Sequence, residues 1–212
     1  MDARSARYLA KFDEVNLMAG LSWSHITWET TERKIRQLED DFLDFLIEAY
    51  LMGCQDAGEM LGFYEETGSD RMHEVIYRHI AGETFVDRIR KHVDNDDLPA
   101  LRVLAESEFH RVYNAALVDE AQLFADETGS LVIKKWHTMQ DPNVRETHDF
   151  IGGVEKPLDE EFYTFDGDHA MEPGDFILPE NNVNCRCWLT FSIGEFGGRE
   201  VALQNSQTQT SE

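Results

Sequence analysis

The sequence predicts an α+β fold, in which an N-terminal helical lobe of four to six helices precedes a small, irregular, β-rich lobe. Apolar residues recur at helical spacing through most of residues 1–129. Glycine and proline are frequent after that point, so residues 130–196 are expected to form loops and short strands around a His/Cys cluster. Residues 197–212 are polar and are predicted to be a disordered tail.

The composition indicates a globular protein and argues against several functional classes. Of 212 residues, 42% are hydrophobic, which is enough to form a core. The 19 Lys and Arg against 42 Asp and Glu give a formal charge of −23, a field that repels polyphosphate, so direct sequence-specific binding to nucleic acid is not expected. The chain shows neither an apolar run of membrane-spanning length nor a signal peptide, which predicts no membrane association and a cytoplasmic location. Three cysteines argue against a secreted disulfide framework.

The first two helical segments differ in the strength of their pattern. Residues 1–21 contain a short amphipathic segment that is predicted to end near Gly20. From about Trp28, apolar residues recur at three- and four-residue steps, which predicts a helix with one buried face. That face comprises Ile35, Leu38, Phe42, Phe45, Leu46 and Ala49. Three glycines weaken the continuation of this helix, namely Gly53, Gly58 and Gly62.

Shorter helices and one long helix complete the predicted helical lobe. A first apolar face comprises Val75, Ile76, His79 and Ile80. Thr84 is placed to cap a second short helix. Pro99 suits the start of a long helix over about residues 98–127, which Gly129 would end in the left-handed conformation. The polar residues along that helix are expected to face solvent, and they are Glu106, Glu108, His110, Arg111 and Asn114.

After the long helix the chain is predicted to form short elements separated by turns. Residues 131–136 are rich in β-formers and indicate a strand. Asp141 and Pro142 are suited to the N-cap and first position of a short helix, which Gly152 would end. A second strand is expected to enter a turn at residues 166–168.

Two cysteines near the end of the chain indicate a metal site. Cys185 and Cys187 alternate with Arg186 in the pattern of a half-buried strand, so both thiols point to one face. A disulfide between them would distort such a strand, whereas a tetrahedral cation, zinc by preference, accepts two parallel thiolates. The nearest imidazoles by context belong to His148 and His137. Together these four residues would form a closed Cys2His2 site of the structural type.

The sequence leaves alternatives to this site open. Asp141 or His169 could replace His137 as the fourth ligand. The Cys-x-Cys spacing is shorter than that of most zinc sites, and the thiols could instead be small buried groups, with His148 bonded to a carboxylate. Asp141, Arg145 and His148 could form a catalytic set, but a helix cap and an ordinary helical ion pair explain the first two. No serine or cysteine nucleophile is paired with a base.

Several short motifs, in a fixed order, resemble a known family. They cover roughly the C-terminal 130 residues and lie at 80–88, 105–114, 135–139, 141–148, 162–168, 173–174 and 184–187. The most specific combination is Trp136, Asp141-x3-Arg145-x2-His148, Pro173-Gly174 and Asn184-Cys185-Arg186-Cys187. In these motifs the chain resembles the phage Mu protein F-like minor head proteins, which are also called phage head-morphogenesis proteins.

The resemblance implies a function, a location and partners. Such proteins are minor components of tailed-phage heads, are associated with the portal vertex, and are implicated in head assembly and in DNA packaging or ejection. The resemblance places the chain in a virion, in the head interior or at the portal vertex, and in the host cytoplasm during assembly. Its partners would be the portal protein and other head proteins, with oligomerisation in the particle as an open possibility. Some relatives look as if they carry Cys in place of Arg145 and His148, which supports His148 as a ligand.

Two other functions compete with this assembly role. The chain could be a metal-dependent hydrolase or a toxin-like module, because Mu F-like domains look as if they also occur fused to toxin-like regions. A metal with three protein ligands and a bound water would favour that enzyme. The chain could also be an adaptor that binds basic partners through its acidic surface, in which case salt would weaken binding. The sequence favours the assembly protein and predicts no enzymatic activity.

Overall fold

The computed structural model describes residues 3–25, 30–63 and 68–194 and has the predicted α+β architecture. The described chain begins with the helices α1 (Ala3–His25), α2 (Thr31–Leu61), α3 (Ser69–Ile76), α4 (Phe85–Asp94) and α5 (Leu98–Thr128). Shorter elements follow as β1 (Val132–His137), α6 (Glu146–Ile151), β2 (Glu155–Pro157), β3 (Phe162–Tyr163), β4 (His169–Ala170), α7 (Pro179–Asn182) and β5 (Trp188–Ile193). None of the described helices has the length and apolarity to cross a membrane. The predicted tail, residues 197–212, lies outside the described residues.

Helices α2 and α5, each of 31 residues, form the centre of the helical region. Each of α1, α3 and α4 contacts both of them. The two long helices approach closely at Gly53, where an added Cβ would lie 2.5 Å from the Tyr113 carbonyl oxygen and 2.7 Å from the Ala116 Cβ. The predicted apolar face of α2 is buried against these neighbours, and removing that apolar surface from water is the main force that holds the helices together.

Capping contacts place the ends of α4 and α5 where the sequence predicts them. At α4, the Asp87 N–H donates to Thr84 Oγ1 at 3.1 Å, and the Thr84 N–H donates to Asp87 Oδ2 at 3.0 Å, which is a capping box. At α5, Asp97 Oδ1 accepts a hydrogen bond from the Ala100 N–H at 3.0 Å. Gly129 ends α5 in the left-handed conformation, with φ of 67°. The predicted long helix is therefore confirmed.

Other helix boundaries differ from the prediction. Helix α1 continues past Gly20, and α2 runs without interruption through Gly53 and Gly58. Glycine has a low helix propensity, but tertiary packing outweighs it here, because the missing side chain at Gly53 lets α5 approach. Helix α3 ends before His79 and Ile80, which the sequence pattern assigns to its apolar face.

Strand β1 is the central strand of an antiparallel sheet in the order β2–β1–β5. Within it, Trp136 pairs with Leu189 of β5 and is fully buried. Strand β5 also packs on α2 and α5, so the hydrophobic core runs from the helices into the sheet. Strands β3 and β4 form a hairpin whose turn contains Gly167 at φ of 89°. The division into domains at residues 129 and 130 stays a prediction.

Two local predictions in the C-terminal region are wrong. Asp141 lies ahead of α6 and does not cap it; its Oδ1 instead accepts a hydrogen bond from the Asn143 N–H at 2.9 Å. Cys185 and Cys187 precede β5 and are not part of that strand. The alternation of buried and half-buried residues nevertheless begins at the cysteines, so both thiols do face the interior.

Candidate metal centre

Helix α6 is held in place by contacts to the chain segment that leads to the cysteines. Arg145, its N-cap residue, donates a hydrogen bond from Nη2 to the carbonyl oxygen of Val183. Thr147 Oγ1 donates to Asn181 Oδ1 of α7 at 3.2 Å. His148 follows on the same helix and is 2% exposed. The first turn of α6 is therefore fixed at the surface while His148 reaches the interior.

The segment from Asn184 to Cys187 turns both thiols inward. Asn184 has φ of 56°, a left-handed conformation that asparagine tolerates better than most residues. Arg186 forms a two-bonded ion pair with Asp141, with Nη2–Oδ1 at 2.9 Å and Nη1–Oδ2 at 2.8 Å. Because the carboxylate of Asp141 is engaged in this ion pair, Asp141 is not among the possible metal ligands grouped around the cysteines. Asp141 and Arg186 therefore position the loop from its outer side.

His148, Cys185 and Cys187 form a buried group of three possible metal ligands. Nδ1 of His148 lies 3.5 Å from Cys185 Sγ and 3.4 Å from Cys187 Sγ. The ligand atoms of all three residues lie within 4.8 Å of one another. Both cysteines are free thiols, 2% and 3% exposed. A cavity of about 10 Å³ adjoins the group, which is room for about one water-sized particle.

The distances in this group have the size that a tetrahedral zinc ion requires. Zinc lies about 2.3 Å from a thiolate sulfur and about 2.0–2.1 Å from an imidazole nitrogen, which at the tetrahedral angle places those two ligand atoms about 3.5–3.6 Å apart. A neutral imidazole has one nitrogen lone pair, so it cannot accept equally from two thiols. The near-equal distances from His148 Nδ1 to both sulfurs therefore suit a shared cation better than two hydrogen bonds.

The surroundings favour a negative charge on one of the two sulfurs. Burial alone raises the pKa of the Cys185 thiol, but its hydrogen bond with Cys187 and its contacts with His110 and His148 lower that pKa well below its ordinary value. The pKa of Cys187 is raised well above its ordinary value by the hydrogen bond with Cys185 and by burial, although Trp136 acts in the opposite direction. The lowered pKa favours the thiolate form of Cys185, and the thiolate is the form that binds metals.

One histidine beside this group was not predicted from the sequence. His110 of α5 is 1% exposed, and its Nδ1 is hydrogen-bonded to the Tyr8 hydroxyl of α1. The solvent-facing prediction for the polar residues of α5 is wrong at four positions, because Glu108, His110, Arg111 and Asn114 are all buried. In the sequence, the apolar residues of α5 are spread around the helix and are not confined to one stripe, a pattern typical of a helix packed on several sides. That distribution is the signal that could have identified His110.

The other candidate histidines from the sequence lie elsewhere. Nε2 of His137 lies 2.7 Å from Thr190 Oγ1, and its ring stacks on Trp188 with the centroids 5.5 Å apart. Nδ1 of His169 lies 3.2 Å from Glu161 Oε1. Neither ring joins the buried group of three ligands. The structure thus brings together three of the four predicted ligands.

Two motif residues pack against the histidine rings of this region. Trp136 is fully buried, and its ring meets that of His148 edge-on at 6.1 Å. Gly174 has φ of 93°, and an added Cβ there would lie 3.0 Å from Arg111 Cα and 3.4 Å from His110 Cδ2. Glycine is needed at this position because it has both a left-handed backbone and a helix packed directly against it.

The fold and the site together define an α+β protein whose C-terminal region is built around a buried group of two cysteines and one histidine. The family of Phage Mu protein F like proteins matches residues 69–190, which run from α3 into β5 and include this group. The chain belongs to that family. The resemblance found in the sequence motifs is thereby confirmed.

Two curated proteins are similar to the chain over long stretches. Minor head protein GP7 of Bacillus phage SPP1 is 28% identical over 135 residues, which are 61% of this chain and 43% of the phage protein. NAD(+)--arginine ADP-ribosyltransferase EFV of Enterococcus faecalis (strain ATCC 700802 / V583) is 25% identical over 178 residues, 82% of this chain and 36% of that protein. The chain thus spans less than half the length of either relative. No solved structure matches it.

Proposed function

We propose that the chain is a minor head protein that acts in head morphogenesis of a tailed phage or prophage, in association with the portal. The match of the Mu F-like family to residues 69–190 carries this proposal, because it includes all the motif residues around the cysteines. The similarity to a protein named minor head protein GP7 supports it. The chain would act in the virion, with the portal protein and other head proteins as partners, and contribute to DNA packaging or ejection.

The charge of the chain is compatible with a place near packaged DNA. A formal charge of −23 gives the protein little attraction for phosphate, so it can lie beside the genome without binding it. The same charge would attract basic proteins without specificity at low salt. A test for a specific head partner must therefore suppress this electrostatic attraction.

Co-expression with the portal protein of the same phage or prophage tests the proposal directly. The full chain would carry an affinity tag, and capture and size-exclusion chromatography would be run at roughly 0.5 M salt, where charges are screened beyond about 4 Å. We expect a complex of defined stoichiometry with the portal protein. A tagged, unrelated protein of similar size and negative charge is the matched control.

The outcomes of that experiment separate the proposed functions. Capture of the portal protein by both tagged proteins, or loss of capture at high salt, would indicate the acidic adaptor and not a head protein. Absence of a portal complex, combined with absence of the chain from purified particles, would overturn the proposal. Presence in particles without portal binding would retain the head protein and remove the portal contact.

We also propose that the buried cysteines hold a structural zinc ion. Cys185, Cys187 and His148 would bind it, and the ion would tie α6 to the segment that leads into β5. The donor set suits zinc because it combines soft sulfur with imidazole nitrogen at tetrahedral spacing. Zinc in such a site stabilises a region whose strands are too short to do so alone.

An enzymatic function is the second candidate, favoured by the similarity to a protein named an arginine ADP-ribosyltransferase. That match covers 36% of the relative's length, so its named activity need not lie in the shared segment. Incubation of the purified chain with labelled NAD⁺ and an arginine acceptor tests transfer, and a panel of ester and phosphoester substrates tests metal-dependent hydrolysis. We expect no turnover above that of heat-denatured protein. Turnover that a chelator abolishes would establish the hydrolase.

A further inference from the structure

His110 lies beside the cysteines with one ring nitrogen bound and the other without a partner. Its Nδ1 is hydrogen-bonded to the Tyr8 hydroxyl, and the ring is 1% exposed. Its Nε2 is fully buried and has no hydrogen-bond partner among the described residues. Buried polar atoms are normally satisfied, so an orphaned imidazole nitrogen at this depth indicates a missing partner.

The His110 ring interacts with the thiol of Cys185. Charge and a side-chain polar interaction from this ring lower the pKa of that thiol. Neither nitrogen of this ring lies within 4.8 Å of all three ligand atoms of His148, Cys185 and Cys187, so His110 would join that group by closing on a shared ion. Because Tyr8 occupies Nδ1, the nitrogen that remains to face the sulfur is Nε2. Gly174 allows the loop before α7 to pack at the Cδ2 side of the ring, which limits its rotation.

We infer that His110 is the fourth ligand of the proposed zinc ion and completes a closed Cys2His2 site with Cys185, Cys187 and His148. The inference rests on the zinc site proposed above, and it replaces His137 with a residue from the helical region. The hydroxyl of Tyr8 acts as a positioning group: it accepts a hydrogen bond from the Nδ1–H of His110 and so leaves the Nε2 lone pair for the metal.

This assignment changes what the ion would connect. With three ligands the metal joins α6 to the cysteine segment, both within the C-terminal region. With His110 it also binds α5, and through Tyr8 it reaches α1. A four-ligand site leaves no position for a metal-bound water, which is the arrangement of structural sites and not of hydrolases. Zinc binding by His110 would therefore favour an assembly protein over a zinc enzyme.

X-ray absorption at the zinc edge of the purified full-length chain tests the ligand set. The expected first shell is two sulfurs at about 2.3 Å and two nitrogens at about 2.0–2.1 Å, with outer-shell scattering from two imidazoles. A shell of two sulfurs, one imidazole and one oxygen would overturn the role of His110 and leave the zinc proposal intact. A chain purified without stoichiometric zinc, and unable to bind it on addition, would overturn both.

Variants test the same assignment by affinity. His110→Ala is expected to weaken zinc binding more than about 100-fold, and His110→Cys, which retains a ligand, to restore most of that loss. Tyr8→Phe should weaken binding about 10-fold to 100-fold, as the loss of other groups that orient metal ligands does. His137→Gln is the matched control and should leave zinc content unchanged. Equal losses in His137→Gln and His110→Ala, or full binding by a folded His110→Ala chain, would overturn the inference.

Discussion

The helical region and the C-terminal region are held together by different kinds of contact. Helices α2 and α5 bury long apolar faces against each other, so their stability is spread over many side chains. The C-terminal region has strands of two to six residues, which cannot form stable sheets without other support. It depends on a few buried polar groups, of which Asp168 and the Cys/His group are the clearest examples. Single substitutions should therefore be more damaging in the C-terminal region.

Asp168→Ala should have the largest effect on stability of any substitution proposed for either region. Asp168 is 4% exposed, and its side-chain oxygens accept hydrogen bonds from the N–H groups of His169, Ile177 and Leu178 and from Asn181 Nδ2, at 2.7–3.2 Å. Its removal leaves these donors unsatisfied, so we expect a loss of about 3–5 kcal/mol in the free energy of unfolding. Chemical denaturation followed by circular dichroism would measure that loss.

The location of the damage is as informative as its size. Hydrogen exchange of the Asp168→Ala chain should show lost protection around α7 while α2 and α5 retain theirs. Asp159→Ala is the control, because this aspartate is exposed, and it should change stability by less than about 0.5 kcal/mol. Equal loss of protection throughout the chain would mean that the two regions unfold as one unit.

A second polar group, Glu172, should make stability depend on pH. Burial and the neighbouring Asp175 and Asp119, opposed by Arg78 and Lys134, together raise the pKa of Glu172 to about 7. A carboxyl whose pKa is higher in the folded state than in the unfolded chain stabilises the fold at low pH, and this contribution is lost as pH rises from about 4.5 to about 7. At about 1.4 kcal/mol per pKa unit, the loss is at most roughly 3 kcal/mol.

Glu172→Gln should remove this pH dependence while keeping the shape of the side chain. The variant should match the unsubstituted chain near pH 4.5 and exceed its stability by up to roughly 3 kcal/mol above pH 7. The pKa of Lys134 is lowered to about 8 by burial, so its own contribution changes at higher pH and does not overlap this window. Parallel stability curves for both chains between pH 5 and pH 7 would contradict the assignment.

The same contrast explains how much could be predicted from the sequence. Helical periodicity predicts the buried face of α2, and local capping signals predict the ends of α4 and α5. In the C-terminal region, the alternation of residue types predicts that Cys185 and Cys187 face the interior, as they do. These patterns are local, because each depends on residues within about one or two helical turns or along one strand.

The missed features depend on contacts between residues distant in the sequence. His110 is buried because α5 is packed on several sides. Asp141 pairs with Arg186, which lies 45 residues further along the chain, and α6 begins only at Glu146. Sequence context groups His137 with the cysteines, but its place in β1 directs its ring to Thr190. A single sequence contains no record of such pairings, so residue type and spacing could not identify the proposed fourth ligand.

Gly53→Ala tests whether the helical region also contains a position at which a single substitution is strongly destabilising. The added Cβ would lie 2.5 Å from the Tyr113 carbonyl oxygen, which is backbone and cannot move aside cheaply. We expect a net loss of about 1–3 kcal/mol despite the better helix propensity of alanine. Gly20→Ala is the control, because its Cβ would meet only the flexible end of Arg102, so stability should be unchanged or slightly higher. Equal effects at both sites would show that α2 and α5 can separate without cost.

Thr84→Ala should have the smallest effect on stability. It tests whether loss of a single polar contact is tolerated in the helical region. It removes the hydroxyl that accepts the Asp87 N–H at the start of α4, for an expected loss of about 1 kcal/mol, within a range of roughly 0.5–2. Thr84→Ser keeps the hydroxyl and should stay within about 0.5 kcal/mol of the unsubstituted chain. Because α4 is also held by the buried Phe85, Ile89 and Val93, loss of one cap should leave the helix formed. A loss above about 3 kcal/mol, measured by denaturation, would mean that single polar contacts govern the helical region as well, and the distinction between distributed and concentrated stability would fail.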